Sequence, residues 1–98
     1  MDEARFGPAG NCEAFHAAGY KSTAQIFGFL AGYGLNAYEY QCGRGVRLGE
    51  TAAAEICQQA AQYGVRVSLH APYFISLASE DPQKRENSVR YILDSARA

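Results

Sequence analysis

Three times along this chain a short apolar or alternating stretch gives way to residues whose apolar members recur at helical spacing. The first strand is expected at Ala4–Gly7, because Gly7-Pro8-Ala9-Gly10 cannot continue a ladder. A loop through Asn11–Lys21 leads to a helix with Ser22 or Thr23 as N-cap and Ala24, Phe27, Leu30 and Ala31 on one face. Gly32 and Gly34 bracket its end. The second strand is expected at Ala37–Gln41, broken by Cys42-Gly43-Arg44-Gly45, and a second helix from about Glu50 to Tyr63, closed by Gly64. Its apolar stripe is Ala53, Ile56, Cys57, Ala60 and Ala61. The third strand is Val65–His70. A third helix starts near Asp81-Pro82, an N-cap followed by proline, and is expected to bury Val89, Ile92, Leu93 and Ala96.

Strand and helix in strict alternation, at roughly 30 residues per unit, is the pattern of parallel strands joined by right-handed crossovers. The strands carry a second signal. Arg66, Ser68 and His70 share one face and Val65, Val67 and Leu69 the other; Ala37, Glu39 and Gln41 likewise oppose Tyr38 and Tyr40. A sheet covered by helices on both sides has two apolar faces. One polar face points instead to a barrel with a polar lumen, or to an open sheet with one solvated face. The expected fold is therefore α/β: three βα units of a parallel (β/α)8 TIM-type barrel, incomplete, with residues 1–98 as one N-terminal partial domain. Three strands cannot close such a barrel, and a complete one takes ~250 residues. The chain is expected to be a fragment or short relative whose open strand edge is covered by the remaining barrel segment or by self-association.

Composition narrows the partners. A net charge of −1 gives no global attraction to nucleic acid or to an acidic membrane, so contact with phosphate has to come from a local patch. No apolar run approaches the roughly 20 residues that span a bilayer, and Met1-Asp2-Glu3-Ala4-Arg5 lacks the basic-then-apolar layout of a signal peptide. Cys12, Cys42 and Cys57 form an odd set without a Cys-x-x-Cys pair, which fits reduced thiols in a cytoplasmic protein.

His70 ends the third strand at the carboxyl edge, where parallel α/β folds place their chemistry. Metal ligand, proton carrier, or donor to a loop carbonyl are the roles open to it there. His16 fits the polar side of a short helical turn within Cys12–Ala18. In Gln41–Arg47, glycines allow close backbone approach, and Arg44 and Arg47 supply planar donors suited to phosphate oxygens; a solvated loop has the same composition. Tyr73-Phe74-Ile75 suits a plug at a barrel end, or a wedge into a stacked duplex. No HExxH and no second histidine beside His70 completes a three- or four-ligand metal site.

Arg5–Gly10, Tyr38–Gly45 and above all Ser68-Leu69-His70-Ala71-Pro72-Tyr73-Phe74-Ile75-Ser76-Leu77 resemble the start of an endonuclease IV type apurinic/apyrimidinic endonuclease, of the xylose-isomerase-like TIM barrels. The resemblance implies a DNA-repair hydrolase that cuts DNA 5′ to an abasic site with a zinc cluster at the barrel's carboxyl edge. It makes His70 a Zn2+ ligand, puts Tyr73 on a loop that enters abasic-site DNA, and brings the Gln41–Arg47 loop, with Arg44 and Arg47, against the same DNA. Most of the family's zinc ligands lie on later strands and His70 is the only one carried over, so the chain alone is expected to be inactive. A sugar isomerase or epimerase of the same superfamily is the alternative enzyme, and a non-catalytic, self-associating βα fragment the alternative from another class.

Overall fold

The computed structural model describes residues 3–98. In chain order they form α1 (Glu13–Ala17), a 3-10 turn (Thr23–Gln25) running into α2 (Ile26–Gly32), β1 (Ala37–Gln41), α3 (Glu50–Gln62), β2 (Arg66–His70) and α4 (Pro82–Arg97). β1 and β2 pair side by side and parallel, joined through α3, so the α/β class with parallel strands expected from the sequence is the one observed.

α2 and α3 end alike, and the ending delivers the chain into the next strand region. Gly34 and Gly64 take φ of 75° and 66°, and the following residues donate backward, Leu35 N to Leu30 O at 3.0 Å and Val65 N to Ala60 O at 2.9 Å. A side chain is costly in that left-handed geometry, which is why glycine stands at both places. At its start α2 is reached through Ser22, whose N–H donates to Gln25 Oε1 at 3.1 Å, half of a capping box.

The first strand is where the sequence reading needs correction. No strand forms at Ala4–Gly7; residues 6–10 run beside β1 with a single parallel bridge, Ala9 to Glu39. Phe6 O accepts from Ala37 N (3.1 Å), Pro8 O from Glu39 N (3.0 Å), and Gly10 N donates to Glu39 O (2.9 Å). The next rung of a parallel ladder would be an N–H from residue 8 to Ala37 O, and proline has none to give. At Gly7 a Cβ would run into the Ala37 carbonyl, so the close approach of the two backbones depends on glycine.

The described residues divide into two compact units. The first comprises residues up to Tyr40 together with Gly49–Ser68. Phe15, Ile26, Phe27 and Leu30 are its fully buried centre, with Tyr38, Ile56, Ala60 and Val65 buried around them. Each large apolar side chain so removed from water contributes roughly 1.5–3 kcal/mol. Phe15 stacks on Tyr20 at 5.2 Å and meets Phe29 edge-on at 5.6 Å, while Phe27 meets Tyr38 edge-on at 5.5 Å. Tyr38 cannot leave its hydroxyl unpaired at that depth. It donates to Asn11 Oδ1 at 2.8 Å, and Asn11 Nδ2 donates to Thr23 Oγ1 at 3.2 Å. Burial, and then the neighbouring Tyr40 and Cys12, push the Tyr38 hydroxyl up from 10.0 to about 12.

The second unit comprises Gln41–Leu48 and Leu69–Ala98. α4 starts as expected: the Asp81 carboxylate accepts from Gln83 N at 2.9 Å and Pro82 takes the first helical position. Its buried face is a second correction. Val89, Ile92 and Leu93 are 50%, 40% and 50% exposed, and Ala96 is exposed as well. Ser88, Tyr91 and Ser95 turn inward instead, spaced i, i+3, i+7. The periodicity located the helix correctly, but its most apolar stripe stays about half exposed, and the polar stripe beside it meets the loop before the helix.

Candidate functional site at the carboxyl edge

Two backbone hydrogen bonds within the second unit bring together the turn that carries Arg44, His70 and Tyr73. Cys42 N donates to His70 O at 2.9 Å, and Tyr73 N donates to Gly43 O at 3.1 Å. The turn that carries Arg44 is thereby fastened to the segment His70–Tyr73, just beyond the ends of β1 and β2. Gly45 closes that turn, with φ 121° and its N–H on Cys42 O at 3.0 Å. Cys42 lies beneath it, 2% exposed, and burial pushes its thiol up, toward an inert packing role rather than a nucleophilic one. Cys12 and Cys57 are free thiols too.

His70 is exposed at the end of β2, and its Nδ1 lies 2.8 Å from Ala71 O. A carbonyl only accepts, so Nδ1 carries a proton, and in the neutral ring Nε2 keeps its lone pair. This is the orientation that second-shell carbonyls give metal-binding histidines. It is also the loop-carbonyl contact considered from sequence; one geometry serves both readings. Among the described residues no group of three or more His, Cys, Asp or Glu gathers to hold a metal ion. His70 fits as one ligand, and the described residues do not complete a zinc site.

Arg44 and Arg47 are exposed, and among the described residues neither forms an ion pair. Tyr73 is 74% exposed at the tip of its loop and meets Phe74 edge-on at 5.5 Å. An exposed aromatic is held in place only if its loop is. Here Ser76 N donates to Ser88 Oγ (2.8 Å), Ser88 Oγ donates to Lys84 O (2.8 Å), Arg85 Nη1 donates to Ser79 O (2.7 Å), and Phe74 packs edge-on against Tyr91 at 4.8 Å. Ser88 is 2% exposed, the one buried polar residue among those described. Sequence reasoning passed it over, because a serine beside an apolar stripe reads as surface. The available signal was Ser88, Tyr91 and Ser95 at helical spacing, a second and polar stripe on α4.

His16 falls on α1 with its side chain exposed, as the helical-turn reading expected. Among the described residues no helix is long and apolar enough to cross a membrane.

A family model for the xylose isomerase-like TIM barrel matches residues 27–98, which takes in β1, α3, β2, α4 and the whole carboxyl edge. No curated protein and no solved structure matches the chain.

Proposed function

We propose a function from this premise: the chain belongs to the xylose isomerase-like TIM barrel family. Within that family it is the N-terminal part of an endonuclease IV-like, zinc-dependent phosphodiesterase acting on DNA at abasic sites. The observation that carries the reading is the pair of backbone bonds that draws the Arg44 turn, His70 and Tyr73 to one edge. Exposed guanidinium groups recruit phosphate oxygens, and an exposed, braced aromatic offers a face for stacking or insertion. A sugar pocket needs neither, which ranks the isomerase or epimerase alternative second.

His70 would be one ligand of a zinc ion in a complete site, and the ion would supply Lewis acidity toward the phosphate and toward a bound water. The part of His70 is to offer Nε2 while Ala71 O holds its ring; the remaining ligands come from further βα units of the barrel. Arg44 and Arg47 neutralise the DNA backbone beside that point, and Tyr73 contacts the distorted duplex.

Anisotropy titrations of the 98-residue chain with an abasic-site duplex test this. Replacing both Arg44 and Arg47 by Gln should weaken binding about tenfold. It should also lower the slope of log K against log salt by about 1.8, since each lost phosphate contact removes ~0.9. Unchanged affinity and slope would refute the DNA assignment. The chain alone should not incise the duplex with zinc present, and incision abolished by His70→Ala would show that it holds a working site. In a protein carrying the whole barrel, His70→Ala should lower zinc content and incision with little change in melting temperature. Normal zinc content with a collapsed fold would make His70 a structural residue, and zinc-dependent aldose isomerisation without incision would establish the alternative enzyme.

A further inference from the structure

A cleft of about 410 Å³ lies within the second unit, between the Phe74–Ser79 loop and the first turns of α4, and His70, Arg44, Arg47 and Tyr73 are not among its lining residues. That volume falls in the range that small-molecule sites occupy. Its lining divides by chemistry. Phe74 and Tyr91, edge-to-face at 4.8 Å, form an aromatic wall. Lys84, Ser76, Ser79 and Asn87 supply the polar side.

Each of the polar groups can donate: Ser79 Oγ accepts from Asp81 N at 3.2 Å, which leaves its proton for a ligand. Asn87 Oδ1 already accepts from Gln83 Nε2 at 3.1 Å and Arg90 Nη2 at 3.3 Å, which leaves the amide N–H groups to the cleft. The Ser88 hydroxyl spends its one proton on Lys84 O and accepts from Ser76 N, both at 2.8 Å, so it has no proton to offer a ligand. Among the described residues no carboxylate lines the cleft, and Lys84 is the one charged residue that does. Its two serine-bearing ends are fixed to α4, Ser76 through Ser88 and Ser79 through Arg85, so little ordering is left for binding to do.

An aromatic wall that shares a cleft with a lysine and several donors complements a flat ring joined to an oxyanion. We infer that the cleft between the Phe74–Ser79 loop and α4 binds a nucleotide, with the base against Phe74 and Tyr91 and the phosphate on Lys84. A neutral sugar is best held by carboxylates, which accept from several hydroxyls at once, and among the described residues no carboxylate lines the cleft. The same chemistry is offered by a free nucleoside monophosphate and by the phosphorylated end of a nucleic acid strand.

Titration of the full chain with adenosine monophosphate, adenosine and inorganic phosphate, followed by backbone amide shifts, tests the inference. The monophosphate should bind at least tenfold more tightly than either part and shift amides at Phe74, Ser76 and Lys84. Lys84→Gln should weaken the monophosphate about tenfold and leave adenosine unchanged. Phe74→Leu should weaken monophosphate and adenosine about threefold and leave phosphate unchanged. Both variants alter exposed side chains, and an unchanged amide spectrum elsewhere certifies the fold. A 5′-phosphorylated oligonucleotide that displaces the monophosphate assigns the site to strand ends, and failure to displace it assigns the site to free nucleotide. Because His70→Ala and the Arg44, Arg47 double variant leave this cleft untouched, binding here stands or falls separately from the abasic-site reading. No saturable monophosphate binding, or equal binding by wild type and both variants, would overturn the inference.

Discussion

Ser88→Ala removes one oxygen and tests whether the Tyr73 loop is held by α4. The hydroxyl is 2% exposed and makes two bonds of 2.8 Å, one to the loop through Ser76 N and one within the helix to Lys84 O. Lys84 O loses little, since a helical carbonyl keeps its place in the helix ladder. Ser76 N loses its acceptor, and a neutral bond of this type is worth about 1 kcal/mol, or up to about 2 when the abandoned donor stays dry. Ser76 itself is exposed, so water reaches part of the vacated position and the lower figure governs. The expected loss is thus about 1 kcal/mol, confined to the loop. Hydrogen exchange reads it directly: the Ser76 amide should exchange about fivefold faster, while amides of α3 keep their rates. A Ser88→Cys variant, close in volume and weaker as an acceptor, should fall between alanine and wild type. If Ser76 exchanges at the wild-type rate in Ser88→Ala, the hydroxyl does not hold the loop, and the fixed presentation of Tyr73 loses its support.

Two further outcomes follow from the first unit's buried tyrosine and from the uncovered face of α4. Tyr38 titrates near 10.0 when unfolded and near about 12 when folded, so its contribution is complete below pH 10 and lost as pH rises through 12; on the order of 2 kcal/mol should disappear across that window, and Tyr38→Phe should flatten this part of the alkaline denaturation curve. A curve with the same slope in both proteins would assign the alkaline loss elsewhere. We also propose that the exposed Val89, Ile92 and Leu93 and the open edge of β2 are covered, by further βα units of a barrel or by a second copy of the chain. Sedimentation of the 98-residue chain should therefore show concentration-dependent association that Leu93→Glu reduces, and a well-folded monomer at high concentration would refute self-association.

Local chemistry made most of the fold legible. The helix breaks at Gly34 and Gly64, the Asp81-Pro82 start of α4, and β1 at Ala37–Gln41 all follow from backbone rules that act within a few residues, and each is observed where expected. The misses have one cause in common: each depended on what lies across from a segment. Ala4–Gly7 has strand composition, but its ladder is decided by which residue must donate to Ala37 O, and that residue is Pro8. α4 has a clean apolar stripe, but its inward face is decided by the loop it meets, and that loop presents Ser76 N to a hydroxyl.

The candidate site divides in the same way. Residue type at a strand end was enough to single out His70, Arg44, Arg47 and Tyr73, and it identified nothing of what holds them. The holding bonds come from backbone atoms, Cys42 N to His70 O and Tyr73 N to Gly43 O, and backbone atoms leave no trace in a pattern of side chains. The tautomer of His70 belongs with them: a histidine at a strand end is only a titratable ring until Ala71 O fixes which nitrogen is protonated. A site of this kind is written twice, in side chains that show the chemistry and in main-chain contacts that supply the geometry. The second part also fixes how the two can be separated by mutation. Arg44, Arg47 and His70 are exposed and enter no main-chain bond through their side chains except for the His70 contact with Ala71 O, so removing them should strip function while leaving the edge assembled. Ser88 is buried and spends its hydroxyl on Ser76 N and Lys84 O, so removing it should loosen the edge while His70, Arg44, Arg47 and Tyr73 all stay present.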